Sequence, residues 1–123
     1  MHFAQDPTSG VNLIRGYAPG EIHINEQRIA GGVIVSASAL LEQPELRVVA
    51  DLGPEHVARI LTLQPELVLL GSGARQIFPA ASFGLQFLRA GIGFEVMDTP
   101  AACRTFNVLV AEQRRAVAVL LLV

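Results

Sequence analysis

The chain has 123 residues and 51% hydrophobic content, which is the size and composition of one globular domain. All nine basic residues are arginines, so lysine-dependent chemistries, such as Schiff-base formation or phosphate binding by a Walker lysine, are excluded. The formal net charge is −2 and the arginines are scattered, which leaves no basic stripe to follow a nucleic-acid backbone. We therefore expect no nucleic-acid partner.

The first ten residues are polar and carry Asp6 and Pro7, unlike a secretory signal peptide. We expect residues 1–10 to form a flexible N-terminal tail and residues 11–123 to form a single domain. The only cysteine, Cys103, has no partner for an internal disulfide, and together with the polar tail it predicts a cytoplasmic protein.

Alternation of polar and apolar residues favours an antiparallel meander in the first third of the chain. Turn signals at Pro19-Gly20 and Asn25-Glu26 separate its strands. Strands are predicted at residues 11–17, 21–24, 28–30 and 33–35. The pattern then weakens, and only a helical turn near 37–41 and an extended piece near 46–49 are predicted.

A helix is predicted to begin at Pro54, with Gly53 as its cap, and to end near Leu63. His56 lies in its first turn. No second histidine stands at metal-ligand spacing from it, so we expect a solvent-facing side chain rather than a metal ligand.

Three apolar runs alternate with two helical patterns in the second half, which favours an α/β fold with parallel strands and crossover helices. The runs cover residues 67–70, 92–97 and 116–122, and the helices are predicted from Pro79 to Ala90 and from Asp98-Thr99-Pro100 onward. In the first helix, Leu85 and Leu88 are expected to share the buried face with Phe87. The longest apolar run, Ala116 to Val123, is far shorter than the ~20 residues that span a bilayer, so no membrane insertion is expected.

Gly71-Ser72-Gly73 follows the first apolar run, at the strand end where α/β proteins bind ligands. The dinucleotide-binding fingerprint requires a third glycine at the start of a helix, and here it is missing, so no dinucleotide cofactor is expected. Two interpretations of the turn stay open. Its glycines suit a special backbone conformation, or its amides form a nest that holds an anion.

Glu95 places a carboxylate in the middle of the strand predicted at 92–97. If both faces of the sheet are covered, this carboxylate needs an arginine or backbone donors, because an unpaired buried charge is strongly destabilising. Arg104 is the first expected partner in such a buried ion pair, and Arg75 is the second. The alternative is an exposed Glu95 at the margin of the sheet.

Cys103 lies in the last helix, whose buried face is predicted to contain Ala102, Phe106 and Leu109. Its place near the positive end of the helix would lower the pKa of the thiol and make it reactive. No histidine is near in sequence, however, and a small buried cysteine also serves simply as a packing residue.

The clearest family resemblance is carried by five segments, residues 14–17, 21–25, 65–73, 91–99 and 102–109. These segments are similar to the Mth938-like family of domains of unknown function, whose members include a mitochondrial assembly factor of respiratory complex I. The resemblance covers nearly the whole chain. It implies a single three-layer α/β domain, with a mixed central sheet flanked by helices and a small antiparallel β extension, and no established enzymatic activity.

No catalytic set can be assembled from the sequence, because the three histidines lie far apart and no metal-ligand cluster is present. Together with the resemblance, this favours a soluble, non-catalytic binding or assembly domain with another protein as its partner and no cofactor. The alternative is a small-anion-binding domain or an enzyme that uses the Gly71–Gly73 turn. The binding surface is expected at a rim of six residues, Gly71, Ser72, Gly73, Asp98, Arg104 and Asn107.

Overall fold

A computed structural model of the chain describes residues 10–122. A small antiparallel sheet comes first, with strands β1 (Ile14–Ala18), β2 (Glu21–Ile24) and β3 (Gln27–Ile29). The larger sheet contains β4 (Gly32–Ser36), β5 (Leu40–Gln43), β6 (Leu67–Gly71), β7 (Gly93–Met97) and β8 (Ala116–Leu120). The helices are α1 (Pro54–Leu61), α2 (Ala81–Arg89) and α3 (Thr99–Ala111), and a short 3₁₀ turn spans Val49–Asp51.

The strands of the larger sheet follow the order β5-β4-β8-β6-β7. β6, β7 and β8 are parallel, whereas β4 runs antiparallel to both of its neighbours, so the sheet is mixed. The predicted alternation of strands and helices in the second half is confirmed, because β6, α2, β7, α3 and β8 follow one another along the chain. The apolar runs of β6 and β8 are covered on both faces of the sheet, whereas β7 is only partly covered at the edge.

Two hydrophobic cores lie on opposite faces of the larger sheet. On one face, Leu69 packs with Phe106 of α3 and with the apolar side of the small sheet. On the other face, Leu70 packs with Ile60 of α1 and Phe87 of α2. The domain therefore has three layers, as the family resemblance implies: α1 and α2, the larger sheet, and α3 with the small sheet.

The meander predicted in the first third is confirmed for β1, β2 and β3. The strand predicted at 33–35 is not part of this meander. It is β4, which pairs with β8 and β5 in the larger sheet. The predicted N-terminal tail falls, apart from Gly10, outside the described residues.

The helical turn predicted at 37–41 is wrong, because no helix forms there and β5 begins at Leu40. Within the extended piece predicted at 46–49, Val48 is extended, but no strand forms and the 3₁₀ turn begins at Val49. The hydroxyl of Ser36 accepts hydrogen bonds from the amides of Ser38 and Ala39, at 3.3 and 3.1 Å, which closes a tight connection between β4 and β5. A local side-chain bond thus turns the chain back early and produces a hairpin.

Helix α2 approaches β7 closely at Gly84, where an added Cβ would lie 2.8 Å from the Phe94 ring. Phe87 is buried at this contact and its ring centroid lies 5.6 Å from that of Phe94. Leu85 and Leu88 point away from the sheet and stay 42% and 57% exposed, so the prediction that they are buried is wrong. A helix lying on a sheet buries a single stripe, and here Gly84 and Phe87 occupy it.

No helix within residues 10–122 is both long enough and apolar enough to cross a bilayer.

Candidate functional site

The turn after β6 uses its backbone amides inside the domain. The amide of Ser72 donates to the carbonyl oxygen of Met97 at 2.9 Å, and the amide of Gly73 donates to Thr99 Oγ1 at 2.9 Å. The Thr99 hydroxyl in turn donates to the carbonyl oxygen of Leu121 at 2.6 Å. An anion at this turn would have to compete with these bonds for the two amides, so the geometry favours the interpretation of a structural turn.

The side chains of the turn serve the same structural purpose. Ser72 Oγ accepts from the amide of Ile77 at 2.8 Å and donates to the carbonyl oxygen of Arg75 at 2.6 Å, which closes the loop that follows. An added Cβ at Gly71 would lie 3.0 Å from both the Ala102 Cβ and the Thr99 Cα. Glycine is required at this position because α3 crosses the end of β6 so closely.

The other members of the predicted rim lie along α3 and do not meet at one point. Asp98 caps the helix by accepting from the amide of Ala101 at 2.8 Å, and Arg104 is exposed on a later turn. Asn107 exchanges two hydrogen bonds with the backbone of Ile14, at 2.9 and 2.8 Å. It lies nine residues after Asp98, about 13 Å along the helix. The turn and Asp98 therefore meet at the start of α3, whereas Arg104 and Asn107 lie on later turns, and a binding role for these residues stays a prediction.

The predicted buried ion pair between Glu95 and Arg104 is wrong. Glu95 is exposed, and among residues 10–122 no ion pair includes it, with either Arg104 or Arg75. The reason is the strand order, which places β7 at the edge of the larger sheet. The alternative of an exposed carboxylate at the sheet margin is the observed arrangement.

His56 is fully buried, so the prediction of a solvent-facing side chain is wrong. Its Nδ1 accepts from the amide of Gly53 at 3.0 Å, so the ring proton lies on Nε2, which donates to Glu45 Oε2 at 2.9 Å. This hydrogen bond is the main cause that holds the pKa of Glu45 below its ordinary value, and Arg59 adds to the effect. With both nitrogens hydrogen-bonded, His56 links the start of α1 to Glu45 in the segment before the 3₁₀ turn.

Cys103 lies on the buried face of α3. Desolvation by this burial raises the pKa of its thiol to about 11, although the charge of Arg104 acts in the opposite direction. A thiol of this kind carries almost no thiolate at neutral pH, so the packing interpretation is favoured over a reactive residue.

Two grooves lie on either side of α2. The larger, of about 540 Å³, separates the start of α2 from the 3₁₀ turn and the start of α1, and no charged side chain lines it. The smaller, of about 260 Å³, runs along Leu85 and Leu88. Phe78, Pro79 and Ala80 line both grooves, so Phe78 stands as a ridge between them.

Large apolar side chains are concentrated around this ridge. Phe78 is 67% exposed and Ile77 is 46% exposed, and they continue into the exposed Leu85 and Leu88. We call these four residues and the two grooves the Phe78 surface. An exposed apolar surface with concave parts is typical of a site that binds a partner.

Sequence reasoning missed the Phe78 surface because it assigned Leu85 and Leu88 to the core and gave Ile77 and Phe78 no role. One signal was available in the sequence. The segment 67–94 contains no aspartate or glutamate, although the chain carries eleven acidic residues. A long segment without acidic residues that joins a strand to a helix is a candidate for a partner-binding surface.

Comparison with protein-family models identifies the chain. Residues 14–121 match the family described as protein of unknown function (DUF498/DUF598). The chain belongs to this family. Both the rim and the Phe78 surface lie inside the matched range.

Comparison with solved structures confirms the fold and the Mth938-like resemblance. A crystal structure of a protein from Bordetella parapertussis has 32% identity and a TM-score of 0.84, covering 92% of this chain and 97% of that one. A solution NMR structure of a Bordetella pertussis protein, described as a Mth938-like domain, has 27% identity and a TM-score of 0.81, covering 98% and 92%.

Two relatives found by sequence comparison carry names of different kinds. NADH dehydrogenase (ubiquinone) 1 alpha subcomplex assembly factor 3 of Danio rerio is 34% identical over 119 residues, 95% of this chain and 68% of the relative. The 13 kDa major membrane protein of Francisella tularensis subsp. holarctica is 30% identical over 103 residues, 83% of this chain and 84% of the relative. The predicted cytoplasmic location therefore stays a prediction.

Proposed function

We propose that this member of the DUF498/DUF598 family is a non-catalytic protein-binding domain that acts in the assembly of a larger protein complex. The name of the Danio rerio relative supports a role in assembly. The Phe78 surface is the proposed place of contact, and the exposure of Phe78 is the observation that carries the proposal. An aromatic side chain that stands between two grooves is the kind of residue that dominates protein interfaces.

The polar groups of the domain support a binding role over catalysis. Ser72, Gly73 and Asp98 hold the turn and the start of α3. The ring of His56 is enclosed with both nitrogens bonded, and the thiol of Cys103 is buried with its pKa raised to about 11. Each of these groups already stabilises the fold, and using one as an acid, base or nucleophile would break that contact.

The proposal is tested by Phe78→Ser in the tagged full-length chain, produced in its native host. A protein that copurifies with the unsubstituted chain is identified, purified by itself and titrated by calorimetry. We expect Phe78→Ser to weaken this binding by about thirtyfold, which corresponds to about 2 kcal/mol for an aromatic residue at the centre of an interface.

Val108→Ser is the matched control, since Val108 is 58% exposed and lies on α3 in the opposite layer. Val108→Ser should bind the partner as the unsubstituted chain does. Both variants should keep the thermal stability of the unsubstituted chain. Equal binding by Phe78→Ser and the unsubstituted chain would contradict the proposed surface. Turnover of a substrate by the purified chain would contradict the non-catalytic role.

A further inference from the structure

We infer that the partner docks an amphipathic helix on the Phe78 surface, with carboxylates beside its apolar stripe. This inference rests on the proposed function and specifies the chemistry of the partner. It combines three observations: the shape of the surface, the charges around it, and the covering of the neighbouring sheet edge at β7.

The shape of the surface suits a row of side chains. Leu85 and Leu88 lie on one outward stripe of α2, and Phe78 separates the two grooves at the beginning of that helix. Apolar residues spaced one helical turn apart on a partner would fill the grooves on either side of Phe78. Helix-in-groove recognition uses this spacing of apolar anchors.

The charges on the α2 side of the surface have one sign, whereas Asp51 and Glu55 lie beside the residues that form the far wall of the larger groove. Arg75 precedes Phe78 in the loop, and Arg89 lies four residues after Leu85, on the same side of α2. Both arginines are exposed, and no ion pair among residues 10–122 includes either of them. The segment 67–94 thus has a formal charge of +2 in a chain whose net charge is −2. A partner that brings carboxylates is electrostatically complementary to it.

The nearby sheet edge is protected against addition of an extended strand. The side chain of Gln76 donates to the carbonyl oxygen of Val96 on β7 at 2.9 Å, which occupies an edge acceptor. Glu95 adds an exposed charge to the same strand. Covering and charging an edge strand discourages pairing with another strand. The open contact on this side of the domain is therefore the side-chain surface of α2.

Two other occupants fit less well. A second copy related by a two-fold axis would bring Arg75 and Arg89 against the same basic segment, because such an interface uses one patch twice. An anionic membrane attracts segments with about four to eight clustered basic residues, whereas this surface has two. The uncharged, concave lining of the larger groove also fits ordered side chains better than a fluid lipid surface.

The inference is tested first by photo-crosslinking in the native host. The full chain carries p-benzoylphenylalanine in place of Phe78, of Leu88 or, as a control, of the exposed Val108. We expect the first two positions to give an adduct with one protein, and the third to give none. Mass spectrometry of the adduct should place the crosslink in a segment with apolar residues at helical spacing and flanking Asp or Glu.

Charge reversal gives a second, quantitative measurement with the purified partner. We expect the double substitution Arg75→Glu and Arg89→Glu to weaken binding at least about tenfold at low salt and less at high salt, because screening reduces the effect. The matched control reverses Arg15 and Arg104, which are equally exposed and equally outside the ion pairs of residues 10–122. It makes the same change in net charge and should leave binding unchanged.

The outcomes separate this inference from the proposed function. A crosslink to a partner segment without carboxylates, or unchanged binding after reversal of Arg75 and Arg89, would overturn the inference and leave a protein-binding function in place. Adducts with lipid or with a second copy of the chain would also overturn it. Absence of any adduct, together with normal binding by Phe78→Ser, would overturn the Phe78 surface as the place of contact and this inference with it. The non-catalytic function itself would be overturned by turnover of a substrate.

Discussion

At the scale of single residues, Cys103 is the group whose chemistry the fold changes most. Burial raises the pKa of its thiol to about 11 from an ordinary value of 9.0. We therefore expect its thiolate population near pH 8 to be about a hundredfold smaller in the folded protein than in the unfolded chain. Alkylation by iodoacetamide, followed by mass spectrometry, should be slow in buffer and fast in denaturant. Equal rates in the two conditions would show that the thiol is accessible and active.

Thr99 is a second residue whose role is defined by its contacts. Its hydroxyl accepts from the amide of Gly73 and donates to the carbonyl oxygen of Leu121, so it joins three segments of the chain. Thr99→Val keeps the shape but leaves both buried backbone groups unpaired. We expect a loss of about 2–3 kcal/mol in the free energy of unfolding, measured by urea titration.

Thr99→Ser is the control for this prediction, because serine keeps the hydroxyl and removes only a methyl group. It should cost about 1 kcal/mol. A valine variant as stable as the serine variant would mean that the two hydrogen bonds add nothing to stability.

At the scale of elements, one side chain fastens the small sheet to α3. Asn107 donates to the carbonyl oxygen of Ile14 and accepts from its amide, a contact across 93 positions of the chain. We expect Asn107→Ala to release β1 and to destabilise the domain by about 1–3 kcal/mol, because the Ile14 amide and carbonyl lose their partner. Hydrogen exchange should accelerate at Ile14 more than in β6. Exchange that accelerates equally throughout the domain would indicate global destabilisation instead.

The elements also show which parts of the fold the sequence predicts. β6, β7 and β8 were predictable because short apolar runs that alternate with helical patterns indicate strands of a buried sheet. β5 was not, since Leu40 to Gln43 becomes a strand only through the hairpin that Ser36 closes with β4. His56 was expected in solvent because nothing local shows that Glu45, eleven positions earlier, returns to bond its ring.

The candidate site was harder to predict than the fold. The rim is made of residue types that bind ligands elsewhere, but here Asp98 caps its own helix, Ser72 closes its own loop and Asn107 bonds to the distant backbone of Ile14. Phe78, Leu85 and Leu88 are residue types that usually lie in the core, and only the packing of Gly84 against Phe94 shows which side of α2 is left outside. Composition carries the signal for such a surface more clearly than any motif.

At the scale of the whole molecule, stability should depend on a set of exposed carboxylates. The hydrogen bond from His56 is the main cause that lowers the pKa of Glu45. The backbone amide of Arg115 does the same for Glu66, and that of Arg47 does so for Asp51. A carboxylate with a lowered pKa in the folded state stabilises the protein above its unfolded pKa. This contribution is lost as pH falls through the lowered folded value.

We therefore expect the free energy of unfolding to be nearly constant from about pH 7 to about pH 5.5 and to fall below about pH 4.5. Urea titrations at a series of pH values measure it. Glu66→Gln should flatten the acid limb, whereas Glu95→Gln, at an exposed position outside the ion pairs of residues 10–122, should leave it unchanged. A profile that Glu66→Gln does not alter would contradict this assignment.

The strand order of the larger sheet has a consequence for how the chain folds during synthesis. β8 lies between β4 and β6, and these two strands share no hydrogen bonds with each other. Until β8 leaves the ribosome, the β4–β5 hairpin and the β6-α2-β7 unit each carry an unsatisfied inner edge. The nascent chain is therefore exposed to misassociation until β8 emerges, and the insertion of this one strand both joins the halves and ends that exposure.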